Sequence, residues 1–343
     1  MDYFIVGQGL AGSILALQLM KENKSFHIYD PHLSKSSSTV AAGLINPLVL
    51  KRLTLSWKAK EFITYNKTFY PEIEQLIQKK FFHPLPLYKL IFTEDDKYFW
   101  KHRFKKKKFI DFMDSTLYPA EKELFLTKNY LKGKVKQASW VDTHKLLNTL
   151  RDIFLKNQQL TEKKIDYQKL RDHQYEDIYF KNLVFCEGIA ALKNPYFKDF
   201  KLIGNKGNLL TIQSDEFYTD SIICKKIFIL PIGNQHYKIG STYDINYIDE
   251  RADEKQGKYI QTQFEAISKA KYKVINHEAA IRPTVEDRRP LVGRIKEQEN
   301  YYVFNGLGSR GCLLAPFLAQ ELLNFIEKGE DLTPECNIER FYT

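Results

Sequence analysis

Near the N-terminus six residues, Gly7-Gln8-Gly9-Leu10-Ala11-Gly12, repeat the spacing with which a main chain receives a pyrophosphate. Gly7 allows a tight turn, Gly9 leaves room for phosphate oxygens, and Gly12 lets a helix pack closely on a strand. Asp30 follows 18 residues after Gly12, where a carboxylate can accept bonds from ribose hydroxyls and would repel a 2′-phosphate. Far along the chain Arg282 opens the run RPTVEDRRPLVG, and a planar guanidinium suits the grip of a carboxylate. Its other use is an internal ion pair, for instance with Glu286 or Asp287; Arg288, Arg289 and Arg294 read as exposed charge. A second glycine-rich turn, Gly306-Leu307-Gly308-Ser309-Arg310-Gly311-Cys312, would present N–H groups where an apolar helix begins.

Other chemistries lack their residues. The eight histidines form no HExxH or other close-spaced ligand pair, and Cys186, Cys224, Cys312 and Cys336 fit no zinc spacing, so no metal site is expected. There is no GxSxG elbow and no P-loop. Fifty-two Lys and Arg against 42 Asp and Glu leave a formal charge of +10, which suits an anionic partner or simply a Lys-rich surface with none. Phe4 to Met20 is mostly apolar, but three glycines interrupt it and no basic segment precedes it, so neither a signal peptide nor a membrane span is read there. The unpaired cysteines point to a reducing, cytoplasmic setting.

The elements that must position these groups follow from periodicity. Asp2–Val6 is a short apolar run suited to a buried parallel strand, Leu10–Glu22 has helical spacing, and Phe26–Asp30 reads as a second strand, so the chain opens as a βαβ unit. Residues 31–50 are rich in Ser and small side chains. Trp57–Ile110 is amphipathic and aromatic, broken at Pro84 and Pro86, and Ser139–Phe154 reads as a helix. Asn182–Phe185 is a strand, residues 207–247 hold several β-like runs, and Gln256–Lys271 is a helix. Tyr301–Phe304 is a strand, and Leu314–Glu327 a helix. Helix-rich and β-rich blocks alternate over 343 residues, which predicts two interleaved domains.

The strand–turn–helix fingerprint serves NAD and FAD alike. Four blocks in order make the chain resemble the D-amino-acid oxidase and glycine oxidase family of FAD-dependent oxidoreductases: the fingerprint, SSSTVAAGLINP from Ser36, IRPTVEDRRPLVG from Ile281, and GLGSRGCLLAP from Gly306. The resemblance implies an α/β and α+β fold. A Rossmann-like FAD domain (1–55, 139–206 and 282–343) would be interleaved with a substrate domain (56–138 and 207–281) on a mostly antiparallel sheet. It implies a cofactor-binding set of Gly7, Gly9, Leu10, Ala11, Gly12, Asp30, Ser38, Ala41, Ala42, Gly43, Leu44, Ile165, Cys186, Glu187, Gly188, Gly306, Gly308, Ser309, Arg310, Gly311 and Cys312. Some relatives attach FAD through a His before the Ala-Ala-Gly or a Cys after the Arg block; Val40 stands at the first place, and no Cys lies between residues 225 and 311, so non-covalent FAD is expected.

The activity this implies is oxidation of a C–N bond next to a carboxylate, by hydride transfer to flavin N5, in which holding the C–H bond in place is the main task. Arg282 matches the family's carboxylate ligand and is placed in a loop by the flavin ring. Phe228 stands where glycine oxidase has a substrate-binding Tyr; Tyr237 or Tyr243 could supply the hydroxyl, or could pack in the core. The GSRG turn also resembles the FAD half of the bifunctional bacterial enzyme that matures methylaminomethyl-uridine in tRNA. With that resemblance, tRNA is a possible partner, and Lys105–Lys108, bracketed by Phe104 and Phe109, is the candidate phosphate-binding run. A small-molecule amine remains the first expected substrate, and a non-catalytic flavin-binding protein is the third reading.

Overall fold

A computed structural model describes residues 1–32 and 36–342; residues 33–35 of the Ser-rich segment lie outside the described residues. Two sheets organise the chain. The first has six strands in the order Leu160–Thr161, Phe26–Tyr29, Tyr3–Val6, Asn182–Phe185, Tyr301–Asn305 and Leu291–Arg294, parallel except for the last pair. Tyr3–Val6 is central and wholly buried, as a parallel strand covered on both faces must be. Its side chains alternate: Tyr3 and Ile5 join one core with the helices Leu10–Lys21 and Gly311–Lys328, while Phe4 and Val6 join another with Leu183, Phe185 and Val303.

The second sheet has eight strands: Lys273–Val285, Leu202–Gln213, His236–Gly240, Phe228–Gly233, Ile222–Cys224, Leu87–Ile91, Leu131–Val135 and Met113–Pro119. Every neighbouring pair is antiparallel except Ile222–Cys224 with Leu87–Ile91. This is the mixed α/β architecture expected, with a largely antiparallel second sheet. The two longest strands, Leu202–Gln213 and Lys273–Val285, pair along their whole length and run uninterrupted through positions 206/207 and 281/282.

Several elements differ from expectation. The helix read from Ser139 begins at Thr143: Asp142 accepts the Lys145 N–H at 3.0 Å and caps it, while Ser139–Val141 pairs as a strand with Phe82–Pro84 and Leu44–Ile45. The helix at 256 runs Glu254–Glu265 and stops well short of Lys271. Within the amphipathic stretch, the helix Ala59–Ile77 lays Phe62, Phe69, Tyr70 and Ile73 into the same core as the N- and C-terminal helices, because its apolar stripe has 3.6-residue spacing. It therefore packs against the Rossmann-like side rather than standing apart with the substrate sheet. Among the described residues, no helix is long and apolar enough to cross a membrane.

Candidate active site

The first strand ends in Gly7 at φ +103°; a Cβ there would stand 2.6 Å from the Cys186 carbonyl oxygen. A Cβ on Gly12 would lie 1.9 Å from the Gly7 carbonyl, so the helix touches the turn directly. Gly9 caps the helix Leu10–Lys21 without a side chain, which leaves the helix N-terminus open to an anion. Ser38, on the short helix Ser37–Val40, accepts the Leu10 N–H at 3.0 Å and pins the Ser-rich segment across this turn.

Asp30 ends the second strand. Its Oδ2 accepts the Gln8 N–H at 2.9 Å, and its Oδ1 accepts the His32 N–H at 3.0 Å and Arg151 Nη1 at 2.9 Å, which leaves acceptor capacity on Oδ2. Glu187, with its carboxyl pushed above the usual range by burial, accepts from Tyr167 Oη and from Asn194 Nδ2 at 2.6 Å.

These groups line one cleft of about 2180 Å³, which runs from Asp30, Ile165 and Glu187 to Arg282, Gly308 and Arg310. That exceeds the roughly 300–1,000 Å³ of a single small-molecule pocket and leaves room for a dinucleotide with a substrate beside it. Gly7, Gly9, Leu10, Ala11, Ser38, Ala41, Ala42, Gly43, Leu44, Cys186, Gly188, Ser309, Gly311 and Cys312 also face it. Gly12 and Gly306 do not: the first packs behind the turn, and the second lies over Val285 and Leu291.

Arg282 is on the strand Lys273–Val285, not in a loop. Its Nη2 donates to Ser241 Oγ at 3.0 Å and its Nη1 to the Thr242 carbonyl at 3.2 Å. Tyr243 covers the guanidinium, ring centre 4.7 Å from Cζ. Neither acid open to it in the sequence reading pairs with it: Glu286 meets Lys201, and Asp287 meets Arg340 at 2.8 Å. Burial pushes the guanidinium below its ordinary range, and Tyr243 partly offsets this.

Tyr237 is not a site residue. It is 3% exposed and donates to the Phe217 carbonyl at 2.7 Å, because alternation along His236–Gly240 turns it with Ile239 into the core. Phe228 lines the cleft, and Tyr243 stands at it, 65% exposed. Lys105–Lys108 lie on an exposed turn that contributes nothing to the cleft. Of their bracketing rings, Phe109 is buried and Phe104 packs against its core, so neither is free to stack on a base.

Three residues escaped the sequence reading. Arg151, on the helix Thr143–Lys156, bridges Asp30, Gln8 Oε1 at 2.7 Å and Glu162 at 2.9 Å; a charged residue in the buried stripe of Leu146, Leu150 and Phe154 was the available signal. Gly207 lies under Arg282, where a Cβ would meet Nη2 at 1.9 Å, and a lone glycine inside a strand pattern marks such a close approach. Ser56 accepts from Arg310 Nη1, and nothing in the sequence marks it.

The open glycine turn, the uncapped helix N-terminus and the length of the cleft fit FAD. Residues 2–324 match the model of the FAD dependent oxidoreductase (DAO) family. Among solved structures, the chain is similar to glycine oxidase from Geobacillus kaustophilus (TM-score 0.80, 17% identity, 97% of each chain). It is also similar to iminodiacetate oxidase from Chelativorans sp. BNC1 (TM-score 0.79, 16% identity, 96% of each chain). Among curated proteins it resembles the tRNA 5-methylaminomethyl-2-thiouridine biosynthesis bifunctional protein MnmC of Leptospira interrogans, 20% identical over 97% of this chain and 58% of that protein. The MnmC of Pseudoalteromonas atlantica is 28% identical over 46% of this chain and 28% of that protein, so the chain spans little more than half of such relatives at most. With the family model covering nearly its whole length, this chain belongs to the DAO family of FAD-dependent oxidoreductases and is an FAD-binding enzyme.

Proposed function

We propose that the enzyme oxidises the C–N bond of a carboxylate-bearing amine. The observation that carries this reading is Arg282: a desolvated guanidinium on the cleft wall whose hydrogen-bond partners are all neutral oxygens. A half-buried cation without a carboxylate is poised to take one from a ligand. Bound FAD supplies the hydride acceptor. Arg282 holds the substrate carboxylate, Gly207 lets its guanidinium lie flat on the neighbouring strand, and Tyr243 shields it from water. The substrate nitrogen reacts unprotonated, the product imine hydrolyses in water, and no side-chain base is required.

At the other end, Gly9 and the helix N-terminus hold the pyrophosphate, and Asp30, kept in place by Gln8 and Arg151, faces the ribose. The start of the helix Gly311–Lys328 lines the cleft, and its positive end would favour negative charge on a flavin bound there. The bond to FAD is non-covalent in this reading. The similarity to structures titled glycine oxidase and iminodiacetate oxidase supports an amino-acid-like amine.

The test is anaerobic reduction of the bound flavin by a panel of amino acids, N-substituted glycines, and modified and unmodified tRNA. Bleaching of the flavin by a carboxylate-bearing amine is the expected result; a flavin untouched by every member overturns the reading.

A second reading keeps the chemistry and changes the carrier of the amine. Five exposed lysines, Lys51, Lys164, Lys193, Lys226 and Lys255, line the cleft. Together with the MnmC relatives they favour removal of a carboxymethyl group from a tRNA base. Reduction of the flavin by carboxymethylated tRNA, and not by the free amines, would select it.

A further inference from the structure

The ribose end of the cleft holds a buried cation with donors to spare. Arg151 stands on the helix Thr143–Lys156, which turns His144, Leu147, Asn148 and Arg151 toward the cleft as one stripe. The residue is only 7% exposed. A guanidinium carries five N–H donors, one on Nε and two on each Nη. Nε gives its hydrogen to Glu162 at 2.9 Å, and Nη1 gives both of its own, to Gln8 Oε1 at 2.7 Å and to Asp30 Oδ1 at 2.9 Å. Nη2 is buried and, among the described residues, donates to nothing.

Charge is not what this group lacks. Asp30 and Glu162 bring two carboxylates to one cation. What is left over is a pair of N–H donors, and a buried donor without an acceptor is a net loss to the fold. Three hydrogen bonds hold the planar fork, so Nη2 cannot turn away in search of a partner. Asp30 has the complementary surplus. Its Oδ1 already takes Arg151 and the His32 N–H, whereas its Oδ2 accepts only the Gln8 N–H and keeps capacity. One ion pair thus offers a free donor and a free acceptor, and both of its residues line the cleft. A hydroxyl group, itself donor and acceptor, matches that combination.

We infer that Arg151 is a direct ligand of the cofactor: Asp30 Oδ2 accepts the hydrogen of an adenosine ribose hydroxyl, and Arg151 Nη2 donates to a hydroxyl oxygen of the same ribose. This rests on the placement of the ribose at Asp30 given above. The glycine turn and its acid supply only the accepting half of the grip. The donating half comes from a residue 121 positions beyond Asp30, outside the fingerprint altogether.

The experiment measures binding rather than turnover. FAD-loaded enzyme is dialysed to equilibrium against mixtures of FAD and an FAD analogue whose adenosine ribose lacks both hydroxyls. The ratio of the two bound dinucleotides is read after acid precipitation. Wild-type enzyme is expected to favour FAD by roughly a hundredfold or more, from two hydrogen bonds to charged groups at roughly tenfold or more each. Arg151→Met should cut this preference by roughly tenfold or more. Arg151→Lys keeps the charge but not the fork and should recover only part of it.

Arg151→Met also deprives Asp30 of its partner, so the deciding comparison is made in protein that lacks the acid. In an Asp30→Asn background, Arg151→Met should still lower the preference for FAD by roughly tenfold, because Nη2 meets the ribose itself. If it changes nothing there, Arg151 merely holds Asp30, and the assignment is overturned. A wild-type preference in the single variant overturns it too. Should the methionine variants fail to fold, the lysine variants in both backgrounds are read by the same criterion. Equal binding of the two dinucleotides by wild-type enzyme would remove the ribose from Asp30, and the proposal would fall with that placement.

Discussion

Tyr70 donates its hydroxyl at 2.7 Å to the main-chain carbonyl of Cys312, the acceptor that Pro316, lacking an N–H, leaves open one turn into the C-terminal helix. Asn66 adds a second donor at 3.3 Å and reaches the Leu313 carbonyl at 3.0 Å. Buried side chains of Ala59–Ile77 thus satisfy the helix whose first turn lines the cleft. Tyr70→Phe should cost about 1–3 kcal/mol, the desolvation of a buried carbonyl left without its main donor, read from urea unfolding. An unchanged midpoint would show that Asn66 alone suffices.

The cofactor turn separates binding from folding. Gly9 has φ −78°, open to any residue, and its nearest obstacle to a Cβ is Ser38 Oγ at 3.3 Å. Gly9→Val should therefore fold yet lose FAD, because the branched side chain enters the pyrophosphate's space. Wild-type protein should be yellow and release its FAD on acid precipitation; colour retained in the pellet would contradict a non-covalent link.

Arg282→Lys keeps the charge and loses the planar fork that meets Ser241 and Thr242. Flavin reduction by the best carboxylate amine should slow by roughly ten- to a thousandfold, with FAD still bound. Wild-type kinetics in this variant would remove Arg282 from the clamp.

Acid should weaken the fold in two stages. Burial holds His27, His83 and His277 below the ordinary histidine value of 6.5. The unfolded chain therefore takes up protons first, and the contribution of these histidines, complete above that value, is lost as pH falls through it. Asp2 and Glu74 are held below the usual carboxylate range, chiefly by hydrogen bonds from Lys181 and Ser25 to Asp2, and from Lys80, Phe82 and Phe81 against the burial of Glu74. Their contribution is lost at lower pH still. Urea midpoints should decline from pH 7.5 to pH 5 and more steeply below about pH 4.5; a midpoint at pH 5 equal to that at pH 7.5 would contradict the first stage.

For a tRNA substrate, the cleft lysines and the lysine run make opposite predictions. Changing Lys193 and Lys226 to Ala should weaken tRNA binding and flatten its salt dependence, which for a few phosphate contacts is roughly tenfold or more between 50 and 200 mM salt. Changing Lys105 to Lys108, away from the cleft, should alter neither. No measurable tRNA binding at low salt would end the tRNA reading.

What could be read from the sequence was what backbone geometry demands locally. A turn at φ +103° needs Gly7, and an acid at the end of the second strand reaches back to the Gln8 N–H, so motif and spacing carried both. Tyr237 was legible too, since HYKIG places it beside Ile239, but the need for a hydroxyl near Arg282 drew it into the site. Ser56 and Arg310 meet across 254 positions of chain, and no local pattern encodes that. The isolation of Arg282 was equally hidden: Glu286 and Asp287 are close in sequence, and their engagement by Lys201 and Arg340 is a tertiary fact.

The central strand has a consequence for how the enzyme is made. Tyr3–Val6 is zipped to Asn182–Phe185, which in turn holds Tyr301–Asn305. Tyr3–Val6 leaves the ribosome about 300 residues ahead of Tyr301–Asn305 and must therefore wait, at about 5–20 residues per second, some 15–60 s before its sheet can close. Until then Phe4 and Val6 lack Val303 in their core, and the wall of the cleft formed by Gly308–Cys312 does not exist. A complete cofactor cleft thus waits for residues 301–312, and a product cut short before residue 301 would display an open, apolar sheet edge to chaperones and proteases instead of a flavin.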